Sequence, residues 1–77
     1  MPNFEVNIIC LDGDTCCNFV KQQMENFIEV NAAKNHPYGL VGKIFARDYR
    51  EIVSIVKELQ KNVGGAIEDI SVSALEQ

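Results

Sequence analysis

A chain of 77 residues, 47% hydrophobic, fits one domain with one core, burying only about 60% of the surface its unfolded form would expose. Seven Lys and Arg stand against eleven Asp and Glu, for a net charge of −4. That balance opposes binding to a phosphate backbone, where clustered cations must displace counterions, so nucleic acid is not expected as a partner. No run approaches the roughly 20 apolar residues that span a bilayer, and the first residues lack the layout of a signal peptide. No membrane association is expected, and the chain is placed in the cytoplasm. Three cysteines, two of them adjacent, make a poor disulfide framework and suit a reducing compartment.

From Phe4 to Leu11 the residues alternate, with Phe4, Val6, Ile8 and Cys10 on one face and Glu5, Asn7, Ile9 and Leu11 on the other, which predicts a central strand. Asp12-Gly13 is a turn signal, and Asp14 or Thr15 can cap the helix that follows. Val20, Met24 and Phe27 form the buried stripe predicted for that helix. Residues 28–32 alternate as a strand would, although two further helical turns are an alternative. With the strand reading, residues 34–39 become a hairpin loop and Leu40 to Ala46 its return strand, with Leu40, Ile44 and Ala46 on one side and Val41, Lys43 and Phe45 on the other.

Asp48-Tyr-Arg-Glu51 reads as a capping box opening a second helix, on which Ile52, Val53, Val56, Leu59 and Val63 recur at helical spacing. Gly64 and Gly65 end it. A last alternating run carries Ile70, Val72 and Ala74 on one face and Asp69, Ser71, Ser73 and Leu75 on the other. This βαββαβ order is that of the ferredoxin-like plait, an α+β fold in which two helices cover one face of a four-stranded antiparallel sheet and residues 1–77 form a single domain. If residues 28–34 were helical, the chain would instead be a small three-stranded βαβαβ unit.

The candidate site is the turn after the first strand, where free N–H groups and the helix dipole favour anions or thiolates. Asp12, Gly13, Asp14 and Thr15 are the candidate ligand-binding residues. Turn formation and helix capping account more simply for the two aspartates, which alone are too few oxygens for a Mg²⁺ or Ca²⁺ site. Cys16 and Cys17 occupy the first turns of the helix, where a thiolate is stabilised. Side chains of adjacent helical residues point about 100° apart, which argues against one ion chelated by both. Cys10, on the core face, is expected to take no part. With one histidine and no Gly-rich phosphate loop, no catalytic constellation can be assembled, and an enzyme is not expected.

Gly13-Asp-Thr-Cys16 followed by Val20 resembles the metal-binding loop of heavy-metal-associated domains, copper-chaperone plaits with a Gly-x-Thr-Cys-x-x-Cys pattern. Phe19 stands where that family has its second cysteine, so the resemblance does not carry over the family's two-thiolate site. Asp12-Gly13, together with the closing turn and strand from Gly64 to Val72, resembles ACT-type regulatory modules. That resemblance implies a small metabolite bound at a dimer interface beside the first loop.

The leading expectation is therefore a non-catalytic binding or regulatory module, with a small-molecule ligand or a protein partner and no cofactor. The alternative is a thiol-dependent metal-binding or redox protein using Cys16 and Cys17. The plait reading also leaves Ile9, Leu11, Val41 and Phe45 together on the open face of the sheet, and such a patch marks an interface. A homodimer packed through that face is expected.

Overall fold

Alternation dominates the first strand: in β1 (Asn3–Cys10) every second residue, from Phe4 to Cys10, is buried. The computed structural model describes residues 3–11 and 13–75, and for residues 13–15 it describes the backbone alone. After β1 come α1 (Gly13–Gln22), β2 (Glu29–Ala32), β3 (Gly39–Phe45), α2 (Tyr49–Val63), a 3₁₀ turn (Gly64–Ala66) and β4 (Ile67–Ala74). The sheet order is β2-β3-β1-β4 and all three pairings are antiparallel. This is the ferredoxin-like plait, with the first and third strands at the centre. The three-stranded alternative is ruled out, because residues 29–32 pair with β3 from Glu29↔Lys43 to Ala32↔Leu40.

The core is one cluster in which Phe4, Val6, Ile8 and Cys10 of β1 and Leu40 and Ile44 of β3 meet Val20 of α1 and Ile52, Val56, Leu59 and Val63 of α2. Ile70 and Val72 of β4 pack against it from the edge. α2 is held at both ends. Asp48 Oδ1 accepts from the Glu51 N–H at 2.9 Å, and the Gly64 N–H returns to the Gln60 carbonyl from a positive φ of 59° that glycine adopts without steric cost. Only half of the expected capping box forms. The Glu51 carboxylate reaches past Asp48 to Arg47, accepting from its backbone N–H at 3.1 Å and from its Nε at 2.6 Å. Those two bonds, the backbone one first, hold the Glu51 carboxyl below its ordinary range.

The first helix is shorter than its apolar spacing predicts. It stops at Gln22, and three tight turns follow, with the N–H groups of Gln23, Met24 and Phe27 donating to the carbonyls of Val20, Lys21 and Met24. Tightened i→i+3 turns keep Met24 and Phe27 aimed at the sheet while the chain descends to its edge. They settle over Gly42, where a Cβ would stand 2.6 Å from the Phe27 ring and 2.7 Å from Met24 Cε. The apolar stripe was read correctly as core, but its last two members reach the core through turns.

Two further corrections concern the open face. Leu11 lies one residue beyond β1 and is 58% exposed, so it is not on the strand. The register also separates the remaining apolar residues. Ile9 pairs with Gly39, whereas Phe45 pairs with Asn3, at the other end of β3. Six residues at about 3.3 Å each put these positions roughly 20 Å apart. Ile9 and Val41 form one apolar spot and Phe45, 51% exposed, a second; the expected contiguous patch does not exist.

Candidate functional site

Between the two apolar spots the open face is polar, and the register sets its residues in rows. Glu5, Lys43 and Glu29 pair side by side across β1, β3 and β2, and Asn7, Val41 and Asn31 form the next row. The same Glu-x-Asn spacing occurs on both strands that flank β3. In each, the asparagine amide donates to its own glutamate's Oε1, at 3.2 Å from Asn7 and 2.6 Å from Asn31. Each carboxylate is therefore held along its own strand and does not close on Lys43. Among the described residues the only ion pair is Arg47–Glu51, which leaves the Lys43 ammonium between two carboxylates without a direct partner.

Residues 33–36, leading into the β2–β3 hairpin, complete the wall of a cleft of about 650 Å³ that these rows floor. His36 shapes this wall, since its Nδ1 accepts from the Tyr38 N–H at 3.1 Å and the Gly39 N–H donates to its carbonyl at 3.2 Å. Gly39 is required here, as a Cβ would stand 2.7 Å from that of Ala33. The cleft can offer an incoming molecule two carboxylates, one ammonium, two amides and the apolar surface of Ile9 and Val41. Sequence reading placed Glu5, Asn7 and Lys43 on the faces that carry Ile9, Val41 and Phe45 and gave them no part in binding. The repeated Glu-x-Asn was the available signal, but its meaning depended on knowing that β3 lies between the two copies.

The turn proposed as the ligand site lies mostly outside the described residues: Asp12 does, and so do the side chains of Asp14 and Thr15, while Gly13 is described as the first residue of α1. What the structure does place is the set of thiols. Cys17 Sγ donates to the Tyr38 carbonyl at 3.4 Å, an oxygen that also accepts from the Cys10 N–H at 2.8 Å. On the other side, Cys16 Sγ donates to the Ala66 carbonyl at 2.8 Å, which also accepts from the Leu11 N–H at 2.9 Å. The two helix thiols thus straddle the end of β1, with the buried Cys10 side chain between them.

Burial, and next the hydrogen bond and charge of Cys17, push the Cys10 thiol from its ordinary 9.0 up to about 12; it is protonated at neutral pH. Cys10 therefore belongs to the thiol group that the sequence reading confined to Cys16 and Cys17. The cause is a register shift between Ile9 and Cys10 in the β1–β4 pairing, which sets Cys10 opposite Ile67 and Leu11 against Ala66. Among the described residues no group of three or more His, Cys, Asp or Glu is arranged to hold a metal ion. Nor is any helix among them long and apolar enough to cross a membrane.

No protein-family model matches the chain, and none of the curated proteins does. Five solved chains are similar to this one. The one described as FFRP-DM1 superposes with a TM-score of 0.73 at 13% identity, over 99% of this chain and 100% of its own. The one described as PH0061 does so with a TM-score of 0.69 at 11% identity, over 99% of this chain but 53% of its own, so this chain spans about half its length. At such identities the likeness speaks for the fold alone, and the architecture shared across nearly the whole chain is the ferredoxin-like plait.

Proposed function

We propose that the chain is a non-catalytic binding module, working as a homodimer, whose working surface is the open face of the sheet. The cleft beside the hairpin takes a small molecule that carries both charges, of the chemical class of a free amino acid. The observation that carries this reading is the row Glu5–Lys43–Glu29, in which an unpaired ammonium lies between two carboxylates. An ammonium on the ligand suits either glutamate, and a ligand carboxylate suits Lys43. Charge-assisted bonds of this kind are the stronger ones, and a half-enclosed cleft shields them from water. The non-catalytic reading is supported by the one histidine, whose Nδ1 is occupied in shaping the loop.

A second copy closes the cleft in this reading. A two-fold axis crossing the strands between the rows of Lys43 and Val41 would lay Phe45 of each copy over Gly39 and Ile9 of the other. The same operation sets each Glu of one copy against an Asn of its partner, and the surface is then self-complementary as a two-fold interface requires. The separation of the apolar spots suits this arrangement, because each spot meets the opposite one. Leu11, outside the strand, would sit at the rim.

The test is a thermal-shift and calorimetric screen of free amino acids against the unmodified chain and Lys43→Met. A ligand at a hundred times its Kd should stabilise the unmodified chain by about 2.7 kcal/mol. That gain should vanish in Lys43→Met, while its unliganded melting temperature stays close to the parent's. Equal stabilisation of both chains would remove the cleft from the proposal.

A further inference from the structure

We propose that Cys17 and Cys10 are a peroxide-oxidisable pair. Cys17 is the thiol that meets hydrogen peroxide or an organic hydroperoxide, and Cys10 is the buried thiol that resolves it to a disulfide. Access distinguishes the two helix thiols. Cys17 lines a shallow depression of about 350 Å³ that also exposes Asn18, Lys21 and Pro37. Its bond to the Tyr38 carbonyl, at 3.4 Å, is of ordinary length for a thiol donor; Cys16 is half-buried as well, but it sits close against the Ala66 carbonyl at 2.8 Å and is absent from the depression's lining. Cys10 is fully buried and cannot meet an oxidant first, yet it touches the shared Tyr38 oxygen through its own N–H. Cys10 and Cys17 meet at one carbonyl, which makes the Cys10 thiol an internal partner for an oxidised Cys17, and the part that Cys17, after burial and ahead of Cys16, plays in raising the Cys10 pKa agrees with that proximity.

The chemistry balances in two steps. The Cys17 sulfur attacks one peroxide oxygen and the O–O bond breaks, giving Cys17–SOH and water (or an alcohol), with the thiol proton ending on the leaving oxygen. The Cys10 sulfur then attacks the Cys17 sulfur. The S–OH bond breaks, and the Cys10 proton leaves with the hydroxyl as a second water. Two thiols lose two protons and two electrons, and the peroxide is reduced by the same two electrons. The product joins α1 to the end of β1 and withdraws the Cys17 thiol from the loop that ends at Gly39. Cys16 and Cys17, about 100° apart around one helix, are poorly placed to join each other.

The experiment is limiting hydrogen peroxide added to the reduced full chain, followed by intact mass and peptide mapping. The expected product is a monomer lighter by two hydrogens with a Cys10–Cys17 cross-link. Cys16→Ala should form the same link at a similar rate. Cys10→Ala should instead accumulate a sulfenic acid at Cys17 that dimedone captures, several-fold more than in the parent. If Cys10→Ala does not fold, the parent and Cys16→Ala decide the question. A Cys16–Cys17 link, a link between chains as the main product, or a parent that runs to sulfinic acid at Cys17 without a cross-link would overturn the proposal. None of these readouts depends on a ligand in the cleft.

Discussion

Ile8 and Ile9 are neighbours of the same residue type in the same strand, and the sheet gives them opposite tasks. Ile8 lies between Leu40 and Ile70 in the pairing, under both helices, and is 1% exposed. Ile9 lies between Gly39 and Asp69 on the open face and lines the cleft. One step along a strand turns a side chain from the covered face to the open one. On the covered face a residue is chosen by shape and volume. On the open face it is chosen by what an incoming molecule or second copy would meet. Substitutions on the first face should therefore change stability and leave surface chemistry alone, and substitutions on the second should do the reverse.

The largest effect should come from Ile8→Ala. Truncating a buried isoleucine costs about 2 to 5 kcal/mol, from lost burial and the cavity left behind. A single core in a chain this short rarely supplies more than roughly 3 to 5 kcal/mol. Chemical denaturation should find Ile8→Ala largely unfolded at 25 °C, whereas Ile9→Ala should lose far less, no more than its contact with a second copy contributes. Equal losses at the two positions would mean that the open face is as tightly packed as the covered one in solution.

Gly42→Ala comes next, and it tests a feature of the covered face that spacing could not reveal. The added Cβ meets the Phe27 ring at 2.6 and 2.9 Å and Met24 Cε at 2.7 Å. The flexible methionine can move aside, but the ring is partly buried against the core and must swing outward. Overpacking of this sort costs about 1 to 3 kcal/mol. Gly42→Ala paired with Phe27→Leu should recover part of the loss; a fully additive double variant would place the strain elsewhere.

The fold was readable because period-2 and period-3.6 patterns are local. β1 shows its two faces residue by residue, and α2 announces its start at Asp48 and its end at Gly64. The early end of α1 was not readable. Val20, Met24 and Phe27 keep helical spacing, but the turn over Gly42 depends on a strand fifteen residues beyond Phe27. The site was less legible for the same reason. Cys10 joins the other thiols only through a register shift against β4, and the Glu-x-Asn pairs acquire a common partner only when β3 is laid between β1 and β2. Alternation told which face Phe45 and Ile9 would share but not how far apart they would lie.

The smallest effect on the folded chain itself, and the most informative for the open face, is expected from Phe45→Lys. Phe45 is 51% exposed and packs at the end of β3, opposite Asn3, so its replacement should change the stability of the isolated chain by no more than about 0.5 kcal/mol. In the proposed dimer the same ring is covered by the partner, and a lysine there would be set over Gly39 and Ile9 with no carboxylate directly opposite. Sedimentation at micromolar concentration should show the parent as a dimer and Phe45→Lys as a monomer. Lys57→Glu, on the exposed side of α2, should remain dimeric. The melting temperature of the parent should rise with protein concentration, because only the folded form associates, and that of Phe45→Lys should not. A parent that sediments as a monomer and melts at a concentration-independent temperature would remove the second copy from the open face. The cleft would then stand as the surface that Lys43→Met tests alone.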